Sequence, residues 1–256
     1  MSVSLKKNMK KKIFEICVYN SISALNAQLA GADRIELCDN MYEGGTTPSY
    51  GMIKIIREKL KIEINVMIRP RGGDFCYDDT EFEIMKNDIL KCKELKVNGV
   101  VFGILKSDGN IDIERTSELT ELARPMSVTF HRAFDMTPDL FKSMDELALI
   151  GIDRILTSGG QNTATEGVET IKKLILNAKD AIIIMPGSGI NSESISKISD
   201  ISGANEFHLS GKMPVNSEML FRKTNISMSG IPGIDEYVHM VSNKEIIKQT
   251  INAIKQ

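Results

Sequence analysis

The sequence predicts an α/β protein made of one (β/α)8 TIM barrel, and three observations support this fold class. Eight short segments rich in Ile, Val, Leu and Phe alternate with stretches of helical periodicity from residue 13 to about residue 212. Serial βα units favour a parallel sheet, and 256 residues suit one barrel without requiring a second domain. Polar residues also collect at the ends of the strand-like segments, where such barrels carry their chemistry.

The predicted strands are short apolar runs bounded by polar turn residues. In chain order they cover residues 13–18, 33–38, 63–69, 99–103, 126–131, 153–157, 181–185 and 205–209. Amphipathic spacing predicts helices between them, three of which cover residues 21–30, 80–96 and 138–150. In the first helix, Ser21 is the predicted N-cap, and Ile22 and Leu29 are among the side chains predicted to face the core.

Two segments are predicted to lie outside the barrel, which covers residues 13–212. Residues 1–12 form a basic leader, and the apolar run behind it contains Glu15, so that run is not the core of a signal peptide. Residues 213–256 form a C-terminal extension. We expect it to begin with a surface excursion and to end in a short helix, 244–255, that docks on the barrel or on a second subunit.

Bulk properties argue against several classes of protein. A net charge of −2 gives no reason to expect nucleic acid or an anionic membrane as partner. No segment is apolar over the length needed to span a bilayer. Four cysteines in a chain of this length do not form a disulfide framework, and no CxxC pair points to a zinc site. We therefore predict a cytoplasmic protein.

Charged and thiol side chains occupy strand positions where barrels normally carry bulky apolar residues. Residues two apart share a face of a strand, so Glu15 and Cys17 are predicted to point to the same side of the first strand, and Glu36 and Cys38 to the same side of the second. The alternative to a functional site is a polar plug whose groups satisfy one another. We predict that one cavity at the C-terminal end of the barrel receives Glu15, Cys17, Glu36, Cys38, Arg69, His131 and His208.

The loop after the third strand carries two arginines around a proline. Arg69 and Arg71 offer forked donors suited to a carboxylate or a phosphate. The alternative is a loop held by salt bridges from these arginines to Glu15, Glu36 or Asp74. After the fifth strand, His131 is a candidate general base with Asp135 orienting it. The candidate catalytic residues are therefore Glu15, Glu36, Arg69, His131 and Asp135. A metal site shared by Glu15, Glu36, His131 and His208 is a further interpretation.

Glycine-containing loops follow the last three strands. Barrels often build a phosphate site from backbone N–H groups in the loops after strands seven and eight. We therefore expect an anion between residues 187–190 and 210–212, with tight turns of positive φ as the alternative explanation. The candidate ligand-binding residues are Arg71, Ser158, Gly159, Gly187, Gly189, His208, Ser210 and Gly211.

Several of these stretches resemble the CutC family, which is named for copper homeostasis. The matching segments are residues 15–18, 30–38, 43–49, 67–75 (including MIRPRGGDF), 99–103, 129–135 (TFHRAFD) and 156–159. The resemblance runs from about residue 13 to residue 211. It implies a (β/α)8 barrel and a cytoplasmic protein that takes part in copper handling. It also implies that Cys17 and Cys38 are copper ligands.

Two functions from different classes remain open at this point. The first is Cu(I) binding, because this soft ion prefers thiolate and thioether donors, and Met67 could add a third sulfur to Cys17 and Cys38. The second is an enzyme or binder of a small phosphorylated or carboxylated molecule, for which Arg69 and His131 supply suitable groups. A weaker third interpretation is a non-catalytic barrel that acts through contacts in a homo-oligomer.

Overall fold

The computed structural model describes residues 11–228 and 233–254. Most of the predicted basic leader, residues 229–232 of the predicted surface excursion, and the last residue of the predicted C-terminal helix lie outside the described residues.

Eight parallel strands form the barrel that the sequence predicts. They are β1 (Ile13–Val18), β2 (Arg34–Leu37), β3 (Glu63–Met67), β4 (Gly99–Phe102), β5 (Ser127–Phe130), β6 (Arg154–Thr157), β7 (Ile183–Pro186) and β8 (Glu206–Leu209). The hydrogen-bonded order is β7-β6-β5-β4-β3-β2-β1-β8, and every pairing is parallel. β7 and β8 lie side by side and nearly close the ring.

Helices follow the strands and cover the outside of the barrel. They are α1 (Ser21–Leu29), α2 (Tyr50–Lys59), α3 (Asp79–Glu94), α4 (Ile113–Ala123), α5 (Leu140–Leu149), α6 (Val168–Ala178), α7 (Ile195–Ser202) and α8 (Lys244–Asn252). None of the helices in the described ranges is long and apolar enough to cross a membrane. Short 3-10 turns follow β2 (Met41–Glu43) and β5 (Arg132–Met136).

The first helix departs from the prediction in its cap and in its buried face. Asn20 caps it by accepting a hydrogen bond from the Ser23 backbone, one residue earlier than expected. Ile22 and Leu29 are exposed, and the buried residues are small ones, including Ser23 and Ala24. The buried face of α1 is small because the C-terminal extension packs closely against it. The Ser242 backbone N–H donates a hydrogen bond to the Ser23 hydroxyl, and larger side chains on this face would prevent that approach.

The C-terminal extension is more ordered than the sequence indicates. An antiparallel hairpin joins β9 (Lys212–Asn216) to β10 (Val238–Ser242), where only an irregular excursion was expected. Pro214 argued against a strand, but this strand belongs to an isolated two-stranded sheet, where proline is tolerated. The final helix, α8, packs on the barrel, with Ile247 and Ile251 buried against the barrel core.

Paired charges fill the barrel interior below the cavity. Arg34 donates to Glu15 at 2.5 Å and to Glu206 at 2.8 Å, and Arg154 donates to Glu206 at 2.5 Å. All four side chains are buried. Arg34 and His208 pair with Glu15, a role for which Arg69 had also been a candidate. The pairing removes most of the cost of placing these charges in a barrel interior.

This ion network should make stability fall in acid. Burial favours the neutral carboxyl, but Arg154 and Arg34 outweigh it and hold the pKa of Glu206 below its ordinary value of 4.5. A lowered folded-state pKa stabilises the fold above the ordinary value, and that stabilisation is lost as pH falls through the lowered pKa. We expect the free energy of unfolding in urea to drop between about pH 5 and pH 3. A flat profile over that range would contradict the pairing.

Candidate functional site

A cavity of about 610 Å³ opens where the strands run into their following loops. Its lining includes the strand-end side chains Cys17, Glu36, Met67, Arg69, His131 and His208. Of the seven side chains predicted to converge there, five therefore line the cavity. Glu15 lies directly beneath it and is bonded to His208, and Cys38 lies beside Cys17. The alternation of side chains along each strand explains this convergence.

Two buried cysteines form one corner of the site. The Sγ atoms of Cys17 and Cys38 lie 3.9 Å apart, and both thiols are free. Met67 and Val101 pack against them in a small apolar cluster separate from the main core. One ligand atom each from Cys17, Glu36 and Cys38 lies within 4.8 Å of the other two. The corner thus brings two thiols, a thioether and a carboxyl together.

His208 carries a positive charge between two carboxyl groups. Its Nδ1 lies 2.8 Å from Oε1 of Glu15, and its Nε2 lies 3.7 Å from Oε2 of Glu36. Burial opposes the charged imidazolium, but Glu36, Cys17 and Glu15 raise the pKa of His208 well above its usual 6.5. The hydrogen bond with Cys38 and the neighbouring imidazolium lower the pKa of Cys17, although burial opposes this. Cys17 is thus the thiol that most readily becomes a thiolate.

The surroundings of Glu36 and Cys38 shift both groups toward their neutral forms. Burial is the main reason that the pKa of Glu36 is well above its usual value, and the charge on Cys17 adds to it. Burial also raises the pKa of Cys38, whose thiol lies 3.4 Å from Oε2 of Glu36. The other carboxyl oxygen of Glu36, Oε1, is buried without a hydrogen-bond partner in the described ranges.

Arg69 is a buried cation that is held by backbone carbonyls. Its Nη1 donates to the carbonyls of Glu43 at 2.7 Å and Gly45 at 2.8 Å, and its Nη2 donates to that of Gly73 at 2.7 Å. No carboxylate among the described residues forms an ion pair with it, and its Nε has no acceptor there. The side chain is 5 % exposed, so this charge is both costly and unpaired.

His131 is neutral and is not hydrogen-bonded to Asp135. Burial and the nearby Arg69 charge lower the pKa of His131 to about 3. Its Nδ1 accepts a hydrogen bond from the Ala133 backbone at 3.2 Å, and Nε2 is buried without a partner in the part of the chain described. The expected orientation of His131 by Asp135 is therefore not present, because a backbone N–H orients the ring.

Asp135 instead accepts hydrogen bonds from the loop that follows β6. It binds Arg132 at 2.8 Å, the Ser158 amide at 3.0 Å and the Gly160 amide at 3.0 Å, and it accepts from the Thr157 hydroxyl. The Gly159 amide donates to the Thr157 hydroxyl as well. Ser158 and Gly159 were predicted to bind a ligand, but this internal carboxylate and Thr157 already engage their donors, and neither residue lines the cavity.

Arg71 is part of a salt-bridged loop, which was the alternative explanation for the second arginine. It donates to Glu81 at 2.5 Å and pairs with Asp74 at 3.0 Å, and its guanidinium lies over the Tyr77 ring. It does not line the cavity. The two arginines of the motif therefore have separate roles. Arg69, two residues after the end of β3, keeps the inward parity of Met67, whereas Arg71 lies farther along the loop and points away from the cavity.

The glycine loops reach the cavity only in part. Ser188, Gly189, Ile190, Ser210 and Lys212 line it. Gly187 and Gly211 do not. The Gly187 amide donates to the Thr157 carbonyl at 2.9 Å, and a Cβ on Gly211 would lie 2.7 Å from Ile247 of α8. Gly187 and Gly211 therefore serve the fold, and an anion predicted here would contact their neighbours.

Gly103 supports the site, although sequence reasoning gave it no role. A Cβ at this position would lie 2.7 Å from the His131 ring and 3.0 Å from Ala133. We expect Gly103→Ala to displace His131 and to lower the free energy of unfolding by about 1–3 kcal/mol through overpacking. Gly51→Ala in α2 is the matched control, because Gly51 is exposed and has no close neighbour. Urea unfolding that shows equal stability for the two variants would contradict this.

Comparison with known proteins assigns the chain to a family. The sequence model of the CutC family matches residues 12–213, which cover the whole barrel. The chain belongs to the CutC family. The human copper homeostasis protein cutC homolog is 45% identical over 242 residues, covering 94% of this chain and 88% of that protein. A CutC family protein from Parabacteroides distasonis is 47% identical over 242 residues, covering 94% of this chain and 100% of that protein.

Solved structures agree with the family assignment. The crystal structure of the CutC protein from Streptococcus agalactiae is 39% identical, with a TM-score of 0.75, over 78% of this chain and 98% of that chain. Phosphoribosylanthranilate isomerase from Thermotoga maritima has a TM-score of 0.56 at 15% identity, over 95% of this chain and 98% of that chain. The second likeness shows the barrel fold alone.

Proposed function

We propose that this CutC protein binds Cu(I) in the barrel cavity, with Cys17 and Cys38 as the ligands. The observation that carries the proposal is the 3.9 Å separation of the two thiol sulfurs in a buried corner. A metal–thiolate bond in proteins is about 2.3 Å long for zinc, so two thiolates on one ion lie at most about 4.6 Å apart. The two cysteines could therefore hold one ion with a bent S–metal–S angle.

The surroundings of the cysteines also suit a soft monovalent ion. The thioether of Met67 packs in the same cluster and could be a third donor. His208 lowers the pKa of Cys17 and favours the thiolate that binds the metal. Cys38 would lose its proton on binding, so one ion between two thiolates would release about one to two protons. The names of the relatives place them in copper homeostasis, and we infer the same for this chain.

Competition against a chromophoric Cu(I) chelator tests this proposal. The reduced full-length protein should remove about one Cu(I) per chain from the chelator, because two thiolates satisfy this ion. Removal of much less than one equivalent by fully reduced protein would contradict the proposal.

We further propose a cytoplasmic location. The copper site needs reduced thiols, and the cytoplasm keeps thiols reduced. Fractionation of cells that produce the protein, with detection in each compartment, tests this.

Binding of a small carboxylated or phosphorylated molecule is a second candidate function, with the cavity as its site and catalysis as an extension. Arg69 favours this second function, because a buried cation without a carboxylate partner would be stabilised by a bound anion. Glu36, whose pKa is raised by burial and whose Oε1 has no partner among the described residues, could serve as an acid. Neutral His131 could donate a hydrogen bond from Nε2 to a carbonyl. The two-cysteine copper site gives these three groups no role.

A further inference from the structure

Two buried nitrogen donors on the cavity wall have no acceptor. They are Nε of Arg69 and Nε2 of His131, which bond to nothing in residues 11–228 and 233–254. The two side chains are 5 % and 4 % exposed, and both line the cavity. Phe75 packs against both side chains. Its ring centroid lies 5.0 Å from the guanidinium carbon of Arg69 and 5.0 Å from the imidazole centroid of His131. Native proteins rarely leave two such donors unsatisfied in one place.

The donor capacity of this pair can be counted. Nδ1 of His131 accepts from the Ala133 backbone, so the proton of the neutral ring lies on Nε2. Arg69 has five N–H groups. Both of those on Nη1 and one of the two on Nη2 donate to backbone carbonyls, which leaves the Nε–H and one Nη2–H. With Nε2–H of His131, the pair therefore offers three N–H donors that a ligand could use.

The charge of the pair is also defined. Arg69 contributes one positive charge, and the burial that lowers the pKa of His131 to about 3 keeps that ring uncharged. Nearby acids do not pair with Arg69, because Asp74 pairs with Arg71 and Asp135 pairs with Arg132, and no carboxylate in the described ranges lies within ion-pair distance of Arg69. The wall thus presents one unit of positive charge with three N–H donors.

We propose that Arg69 and His131 form a carboxylate-binding site for a small organic acid. One carboxylate supplies one negative charge, and its two oxygens can accept from all three donors, so it matches the wall in both respects. A phosphate monoester would bring about 1.5–2 negative charges at neutral pH, more than the single positive charge here can balance. A cavity of about 610 Å³ holds a molecule of this size. The inference deepens the second candidate function and rests on it, and it does not depend on copper.

Side-chain NMR of the reduced, metal-free full-length protein tests the site directly. Acetate is the carboxylate probe and inorganic phosphate is the comparator, both at constant ionic strength. We expect acetate to shift the His131 Nε2 resonance in a saturable way and phosphate to leave it unmoved. Because this readout uses the wild-type protein, it holds even if variants at Arg69 fold poorly.

A matched pair of variants in the same loop completes the experiment. Arg69→Gln should weaken acetate binding about ten- to a hundred-fold, as expected for losing a charge-assisted hydrogen bond. Arg71→Gln removes the same charge from an ion pair outside the cavity and should leave the affinity unchanged. Equal weakening by both variants would show a general charge effect and overturn the proposal.

The outcomes separate this inference from the function on which it rests. If acetate or phosphate shifts only the amides of residues 188–190, the carboxylate site is wrong and anion binding in the cavity stands. If neither probe shifts any resonance of the cavity lining, both the carboxylate site and the second candidate function are wrong.

Discussion

Replacing either Cys17 or Cys38 with serine should abolish tight Cu(I) binding. One remaining thiolate is a poor site for an ion that prefers two sulfur ligands. A competition titration against a Cu(I) chelator should therefore show that each single variant, and the double variant, loses the high-affinity component. Circular dichroism should show an intact fold, because serine is close to cysteine in size.

The other two cysteines are matched controls. Cys92 is buried on α3 and Cys76 is exposed after β3, and neither belongs to the metal-ligand clusters found among the described residues. Cys92→Ser and Cys76→Ser should compete for Cu(I) as the wild type does. If the double variant of Cys17 and Cys38 also competes equally well, the thiol pair is not the copper site.

Of the substitutions considered for this protein, Glu206→Ala should lower the free energy of unfolding most. This carboxylate accepts hydrogen bonds from both Arg34 and Arg154, and all three side chains are buried. Glu206→Ala leaves two guanidinium groups without a shared partner at the base of the barrel. Breaking a buried ion pair by removing one partner costs about 3–5 kcal/mol. Urea unfolding of wild type and variant at neutral pH measures this loss.

Glu63→Ala is the control for that loss. Glu63 also pairs with Arg34, at 3.8 Å, but its side chain is 60% exposed, so solvent screens the interaction. We expect its effect on the free energy of unfolding to stay within about 0.5 kcal/mol. Comparable losses in the two variants would mean that the network does not stabilise the barrel as described.

The fold could be predicted because its signals are local and repeat along the chain. Apolar runs of strand length recur between helical stretches, and the alternation rule then places Glu15, Glu36 and Arg69 on inward faces. Strand ends were less certain, and β7 is observed two residues later than expected at its start. The hairpin β9–β10 was missed because proline and serine weaken the signal of a strand.

Parts of the site depend on contacts that no local pattern contains. Asp135 lies four residues after His131, a spacing that favours a pair, but Thr157 at the end of β6 and Ser158 just after it donate hydrogen bonds to Asp135 instead. The same parity argument that found Glu36 would have placed Arg34 inside the barrel, where it pairs with Glu206. Arg34 begins β2, at the strand end away from the cavity, so its inward position places it in the ion network and not in the site.

Anomalous diffraction at the copper edge tests the central claim most directly. Crystals of the reduced protein, grown with one equivalent of Cu(I), should give one strong peak at about 2.3 Å from Sγ of both Cys17 and Cys38. A peak on Cys76 or His239, with no density between the two buried sulfurs, would contradict the account.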